Sequence, residues 1–185
     1  MRIISGKLKG KPISFVKTSN TRPLKDSVKE NIFNILTHSN LINIDLHNAN
    51  ILDLYSGTGS FGLEAISRGA SKVTFIEENN AAIKVLKENL NDLQIEGNAI
   101  VFENKIINVL KTKKLEKYDI FFFDPPFADH SYIDEIELIK TNKIYKKNHL
   151  IIIHRERNTI DNFNKKLSFF LEKTYGRSKI LFGSF

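Results

Sequence analysis

The hydrophobic rhythm changes once along this chain, near Asn50. Upstream, "RIIS" and "KPISFV" flank a Gly/Lys-rich stretch from Gly6 to Gly10, a pattern that predicts a β-hairpin over residues 2–16. Thr18 to Pro23 is polar and has no period. In "LKDSVKENIFNIL", Leu24, Val28, Ile32, Ile35 and Leu36 recur at helical spacing, which predicts one apolar face with Lys25, Lys29 and Asn31 off it. Residues 37–48 read as a polar connector.

Downstream, short apolar runs alternate with amphipathic stretches. "NILDLYS", "KVTFIE", "AIVFE", "YDIFFFD" and "HLIIIH" predict buried strands. Between them, "SFGLEAISRG" predicts a helix stopped at Gly69, and "NNAAIKVLKENLNDL", "IINVLKTKK" and "YIDEIELIKTN" predict three more. "TIDNFNKKL" reads as a weak helix, and "SFFLEKTY" and "SKILFGSF" as a terminal strand pair. This alternation predicts an α/β fold, a mostly parallel seven-stranded sheet with helices on both faces. The hairpin and first helix form an extension over residues 1–48, ahead of a sheet domain over 49–185.

Composition narrows the class. The chain has 185 residues, of which 41% are hydrophobic, enough for one domain with a real core. Cysteine is absent, so disulfides and Cys-based metal or redox sites are excluded, and a reducing, cytoplasmic compartment is compatible. The start "MRIISGKLKGK" lacks the apolar core of a secretory leader, and the longest aliphatic run, Leu150 to Ile153, is far too short to span a membrane. The five histidines show no metal-ligand spacing and read as structural, and G-x-S-x-G is absent, so neither a metal site nor a hydrolase elbow is expected.

Charge adds a partner class. The net charge is +7, and residues 1–30 carry +6 of it. A composition rich in Lys, Asn and Ile would spread the excess evenly. Its concentration in one sixth of the chain suggests a basic module with a polyanionic partner, most often nucleic acid.

The chemistry begins at "ILDLYSGTGSFGLEA". Gly57, Gly59 and Gly62 satisfy G-x-G-x-x-G between a strand and a helix, and Glu77 follows 20 residues after Gly57, at the end of the next strand. This fits a dinucleotide fingerprint with an acid on the ribose. It also fits a tight turn that holds no ligand. A phosphate-binding P-loop is excluded, because Leu63 and Glu64 stand where Lys and Ser/Thr are needed. Asp53 separates the cofactors. A carboxylate four residues before Gly57 repels a pyrophosphate but suits the sulfonium and ammonium of S-adenosylmethionine. "DLYSGTGSFGLEA" resembles the first motif of class I S-adenosylmethionine-dependent methyltransferases, and Glu77 sits where their second acid does. The resemblance implies a Rossmann-like fold, with Asp53, Ser56, Gly57, Thr58, Gly59 and Glu77 around the cofactor.

A second motif, "DPPF" at 124–127, ends the fourth strand, on the sheet edge where open α/β folds bind ligands. It resembles the (Asp/Asn)-Pro-Pro-aromatic motif of methyltransferases that act on exocyclic amines. Such an amine is a poor nucleophile, because its lone pair is delocalised into the ring. The Asp124 carboxylate and the Pro125 carbonyl can accept its two N–H bonds. Pro125 and Pro126 stiffen the backbone. Phe127 can stack on the base, an interaction worth roughly 1–3 kcal/mol. The motif does not distinguish adenine from guanine, nor DNA from RNA.

The N-terminal segments narrow the substrate. Arg2, Ile3, Ile4, Gly6, Lys7 and Gly10, then Arg22, Pro23, Asp26, Val28, Lys29, Glu30 and Phe33, resemble the opening of the RsmD-type 16S ribosomal RNA methyltransferases. "FGLEAISRGA", "DPPF" and the late Tyr175–Gly176 continue the match over nearly the whole chain. The resemblance implies methylation of a guanine N2 amine in 16S rRNA or a small-subunit particle; apart from it, the expectation is a cytoplasmic monomer. It also implies that Arg2, Lys7, Arg22 and Lys25 contact RNA phosphates. A polar contact to the cofactor adenine is implied just after the third strand. Lys105 stands at that position here, and Asn104, one residue away, and Ile106 are the candidates. Asp26 and Glu30 fit either an active-site wall or partners within their own helix. Three alternatives stay open: an adenine-amine methyltransferase, an NAD-dependent oxidoreductase, and an RNA-binding module with an empty Rossmann-like fold.

Overall fold

A computed structural model describes residues 1–16, 24–163 and 167–185. The elements are α1 (Asp26–His38), β1 (Asn50–Leu54), α2 (Ser60–Ser67), β2 (Lys72–Glu77), α3 (Asn80–Asp92), β3 (Ala99–Glu103), α4 (Ile106–Thr112), β4 (Tyr118–Phe123), α5 (Tyr132–Asn142), β5 (Tyr145–Glu156), β6 (Ser168–Tyr175) and β7 (Ser178–Ser184). The seven strands form one sheet in the order β3-β2-β1-β4-β5-β7-β6. The first five of that order run parallel, and β7 pairs antiparallel with both β5 and β6. This is the mostly parallel Rossmann-like sheet that the alternation predicts, closed by the expected terminal strand pair.

The apolar runs are long because both faces of the sheet are covered. Side chains alternate between faces along a strand. Ile120 and Phe122 of β4 therefore join one core cluster with Ile51, Phe75, Ile152 and residues of α1, α2 and α3. Phe121 and Phe123 join the other, with Leu52, Ile151, Ile153 and residues of α4 and α5. The run Ile120–Phe123 is thus two half-runs, one for each layer.

The N-terminal arm is folded onto this body. Ile3 and Ile13 belong to the first cluster, as do Leu24, Val28, Ile32 and Phe33. The hairpin is more modest than expected. It holds one isolated bridge, Arg2 to Pro12, and a few backbone bonds such as Ile3 N–H to Lys11 O at 2.9 Å. Its backbone pairs with α2 instead: Glu64 accepts the N–H of Ile4 (2.7 Å) and of Ser5 (3.0 Å).

Two further expectations need correction. Lys29 is not off the buried face but fully buried, with Nζ 3.0 Å from Arg2 O, 3.3 Å from Ser60 Oγ and 3.7 Å from both Asp26 and Glu64. The anionic Glu64 on α2 and the arm's carbonyl make that burial tolerable. Asp26 thereby takes the role of helix partner. The expected weak helix at 159–167 is not helical over 159–163, while 164–166 lie outside the described residues. Its Asp161 is committed to buried Arg155, at 3.1 and 3.2 Å.

Candidate active site

The carboxyl ends of β1, β2, β4 and β5 border a cavity of about 1020 Å³. After β1 the chain must turn sharply to enter α2. It does so through left-handed backbone at Tyr55 (φ 58°), Gly57 (φ 55°) and Gly59 (φ 87°). The φ at Gly59 favours glycine, and a Cβ there would stand 2.4 Å from Leu86 Cδ1 and force that side chain to shift. Asp53 is 1% exposed. Its Oδ2 accepts the Gly62 N–H at 3.0 Å, in the first turn of α2. It therefore ties the end of β1 to the first turn of α2, and it lines the cavity as well. Burial, and then the nearby charges of Asp124 and Glu77, push its carboxyl well above the usual range.

Glu77 ties the glycine loop to the next helix. Its Oε2 accepts the Gly57 N–H at 2.8 Å, and its Oε1 accepts the N–H groups of Glu78 and Asn79. Asn104 Oδ1 accepts the Lys105 N–H at 2.8 Å and the Asn108 amide at 3.0 Å, so its side chain organises the start of α4. Asn104, Lys105 and Ile106 all line the cavity.

At the opposite wall, Asp124 follows β4. Its Oδ1 lies 2.7 Å from His154 Nδ1, and His154 Nε2 lies 2.9 Å from Ser178 Oγ. Phe127 meets the His154 ring edge-on at 5.7 Å. Arg155, fully buried, donates to the carbonyls of Pro126 (3.1 Å) and Phe127 (3.0 Å). Its guanidinium lies 4.8 Å from the Tyr132 ring centroid. Among the described residues no donor is bonded to the Pro125 carbonyl.

A third group was not anticipated. Tyr55 donates its hydroxyl to Glu135 Oε2 at 2.8 Å, and both residues line the cavity. Burial pushes Glu135 up to about 7, with Asp129, Asp134 and Glu78 adding to the shift. Seven carboxylates border the cavity (Asp53, Glu77, Glu78, Asp124, Asp129, Asp134 and Glu135), against Lys105 as its sole lysine or arginine among the described residues.

Of the candidate site residues, Asp53, Ser56, Gly57, Thr58, Glu77, Asn104, Ile106 and Asp124 through Phe127 are brought to this one cavity. Gly59 shapes the loop without lining it. Arg2, Lys7 and Lys25 are exposed and stand outside the cavity, and Arg22 lies outside the described residues. The arm nonetheless reaches the cavity through Met1, Phe15, Val16 and Leu24. His154, read from sequence as one of five structural histidines, is instead a wall of the site. Its signal was present: β4 runs into Asp124 as "FFFD" and β5 ends "IIIHRE". Phe122 pairs with Ile152, which brings Asp124 and His154 to the same face one step later.

The family described as "Conserved hypothetical protein 95" matches residues 1–184. "Ribosomal RNA small subunit methyltransferase D" of Buchnera aphidicola subsp. Acyrthosiphon pisum is 35% identical over 155 residues, covering 84% of this chain and 78% of the relative. The protein of the same name from Haemophilus influenzae is 34% identical, covering 85% and 79%. Among solved structures, "Putative methyltransferase yhhF from Escherichia coli" superposes with a TM-score of 0.83 at 29% identity, covering 99% of this chain and 96% of that one.

Proposed function

We propose that this chain, which belongs to the RsmD family described as "Conserved hypothetical protein 95", transfers a methyl group from S-adenosylmethionine to the N2 amine of a guanine in 16S ribosomal RNA. One observation carries the cofactor half of the reading: an acidic cavity inside a chain of net charge +7. A dinucleotide would bring its pyrophosphate against those carboxylates, whereas a sulfonium and an ammonium are attracted by them. The left-handed glycine loop lets backbone close on the methionine end, and Glu77, at the end of β2, accepts the ribose hydroxyls. Ser56 and Thr58 border the same loop, and Asn104 and Ile106 border the adenine end.

The cofactor supplies an electrophilic methyl group, and the chain's own residues supply position. The Asp124 carboxylate and the Pro125 carbonyl accept the two N–H bonds of the target amine. That holds the nitrogen with its lone pair toward the methyl. Phe127 stacks on the base. Alignment of this kind accounts for most of the acceleration, because a quaternised amine sheds its proton without a strong base. Residues 1–48 hold RNA, with Arg2, Lys7, Arg22 and Lys25 on phosphates, while residues 49–185 hold the cofactor. The charge of +6 on residues 1–30 supports RNA binding by the arm, and the names of the relatives support an rRNA substrate; the reaction takes place in the cytoplasm, on rRNA or a small-subunit particle. The protein acts as a monomer.

The test is calorimetric titration with S-adenosylhomocysteine beside NAD, followed by nucleoside analysis of rRNA incubated with protein and methyl donor. Saturable binding of the first ligand and N2-methylguanosine in the digest are expected. Binding of NAD alone would sink the cofactor assignment, and methylated adenosine would move the target to the adenine amine. Asp124→Ala should abolish turnover and leave cofactor affinity nearly unchanged. A collapse of affinity would mean that Asp124 serves the cofactor rather than the base.

A further inference from the structure

The backbone of the DPPF loop is fixed from two directions. Proline locks φ at 125 and 126. Arg155 then takes the carbonyls of Pro126 and Phe127, and is itself held by Asp161 at 3.1 and 3.2 Å. What the backbone cannot fix is the rotation of the Asp124 side chain. Only one of its oxygens is needed for the target amine, and a freely rotating carboxylate would present either oxygen at varying angles.

We infer that His154 is the positioning residue of this site, holding Asp124 Oδ1 so that the second carboxylate oxygen faces the target amine, with Ser178 setting its tautomer. The inference rests on the methyltransferase reading above. Three contacts carry it. Asp124 Oδ1 is 2.7 Å from His154 Nδ1, a short charge-assisted distance. The carboxylate can only accept, so Nδ1 carries the proton. On the far side of the ring, Nε2 is 2.9 Å from Ser178 Oγ, a hydroxyl that donates to the ring's remaining lone pair. The same ring packs edge-on against Phe127 at 5.7 Å. One side chain thus fixes both the amine acceptor and the aromatic that stacks on the base.

The topology makes this a property of the fold rather than of one loop. Phe123 pairs with Ile153 in the parallel β4–β5 ladder, so Asp124 and His154 emerge next to each other at the strand ends. Ser178 is the first residue of β7 and pairs with Glu156 in the antiparallel β5–β7 ladder. The closing strand of the sheet therefore braces the catalytic edge of β4 through β5. Arg155, the next residue along, points to the opposite face and holds the loop backbone from there.

The experiment compares His154→Phe, His154→Asn and Ser178→Ala with the wild-type protein. Phenylalanine keeps the ring volume and removes the donor. Asparagine places an amide nitrogen where Nδ1 stood and keeps it. Expected for His154→Phe is a fall in kcat on the order of 100-fold, the scale of a small misplacement of a reacting group. KM for rRNA and affinity for S-adenosylhomocysteine should stay near wild type. His154→Asn should restore most of the rate, and Ser178→Ala should lower kcat several-fold with KM unchanged. Imidazole ¹⁵N shifts of the wild-type protein should report a protonated Nδ1, a readout that stands even if His154→Phe does not fold. A wild-type rate in His154→Phe, equal impairment of His154→Asn and His154→Phe, or a protonated Nε2 with bare Nδ1 would each overturn the inference and leave the function standing. Absence of any methyl transfer by the wild-type protein would remove the function, and the inference with it.

Discussion

Glu135 offers the most quantitative test of the electrostatics of the cavity. It is 6% exposed, and its one strong partner is the Tyr55 hydroxyl, which donates to Oε2 at 2.8 Å. Burial first, then the charges of Asp129, Asp134 and Glu78, raise it from 4.5 to about 7. Below pH 4.5 the group is protonated both folded and unfolded, so it costs nothing. Between 4.5 and about 7 the unfolded chain releases the proton and the folded chain keeps it, so stability falls as pH rises. Above that window the penalty is constant. At about 1.4 kcal/mol per tenfold change in proton affinity, it amounts to roughly 3 kcal/mol. Glu135→Gln keeps the volume and an oxygen for Tyr55 but cannot ionise. Urea unfolding of both proteins from pH 4 to 8.5 isolates the effect, because the other titrations largely cancel in the difference. The variant should gain about 3 kcal/mol on the wild type between the two ends of that range. Parallel stability curves would refute the reasoning, and would mean that the carboxylate is solvated in the folded protein.

Other perturbations probe the frame around the site. Glu64→Ala removes the acceptor for Ile4 and Ser5 and leaves buried Lys29 without its charged partner on α2; a loss of about 3–5 kcal/mol in denaturant unfolding is expected. Gly62→Ala would put a methyl 2.3 Å from the Phe75 ring and 2.8 Å from Val73, at the contact of α2 with β2, and should cost about 1–3 kcal/mol in the same assay. On the RNA side, neutralising Lys7 and Arg22 should flatten the dependence of log K on log salt by roughly 0.7 per lost phosphate contact; an unchanged slope would remove them from the interface.

The fold was legible because two periodicities of the chain were unambiguous. Strands covered on both faces read as unbroken apolar runs, and the helices between them kept one polar side. Element positions from Asn50 to Asn142 followed from that, as did the pairing of β6 with β7. The misses have a common cause: each depends on which strand or helix lies beside which. Lys29 reads as a solvent residue until α2 brings Glu64 to it. His154 reads as the polar end of a strand until the β4–β5 register sets it against Asp124. Glu135 reads as an exposed helix acid until the left-handed turn at Tyr55 points a hydroxyl at it. Local propensity carries no register, so a carboxyl group hydrogen-bonded by a residue 30 or 80 positions away is invisible to it.

The distribution of charge then acquires a functional logic that neither the net value nor the motifs convey alone. Residues 1–30 carry +6, and exposed Arg2, Lys7 and Lys25 lie on the arm whose Met1, Phe15, Val16 and Leu24 edge the cavity. The cavity itself is lined by seven acidic side chains, of which Asp53 and Glu135 are pushed toward the neutral form and the other five carry the negative field. A polyanion is drawn to the arm and repelled from the interior, since like charges in a recess of low dielectric repel strongly. On the proposed reading, the part of an RNA strand that can enter is an uncharged base, turned out of its stack, while its phosphates stay on the basic arm. The cationic cofactor experiences the opposite field and is drawn into the same recess. One arrangement of charge thereby sorts the two reactants to the two sides of Asp124, where the amine and the methyl group must meet.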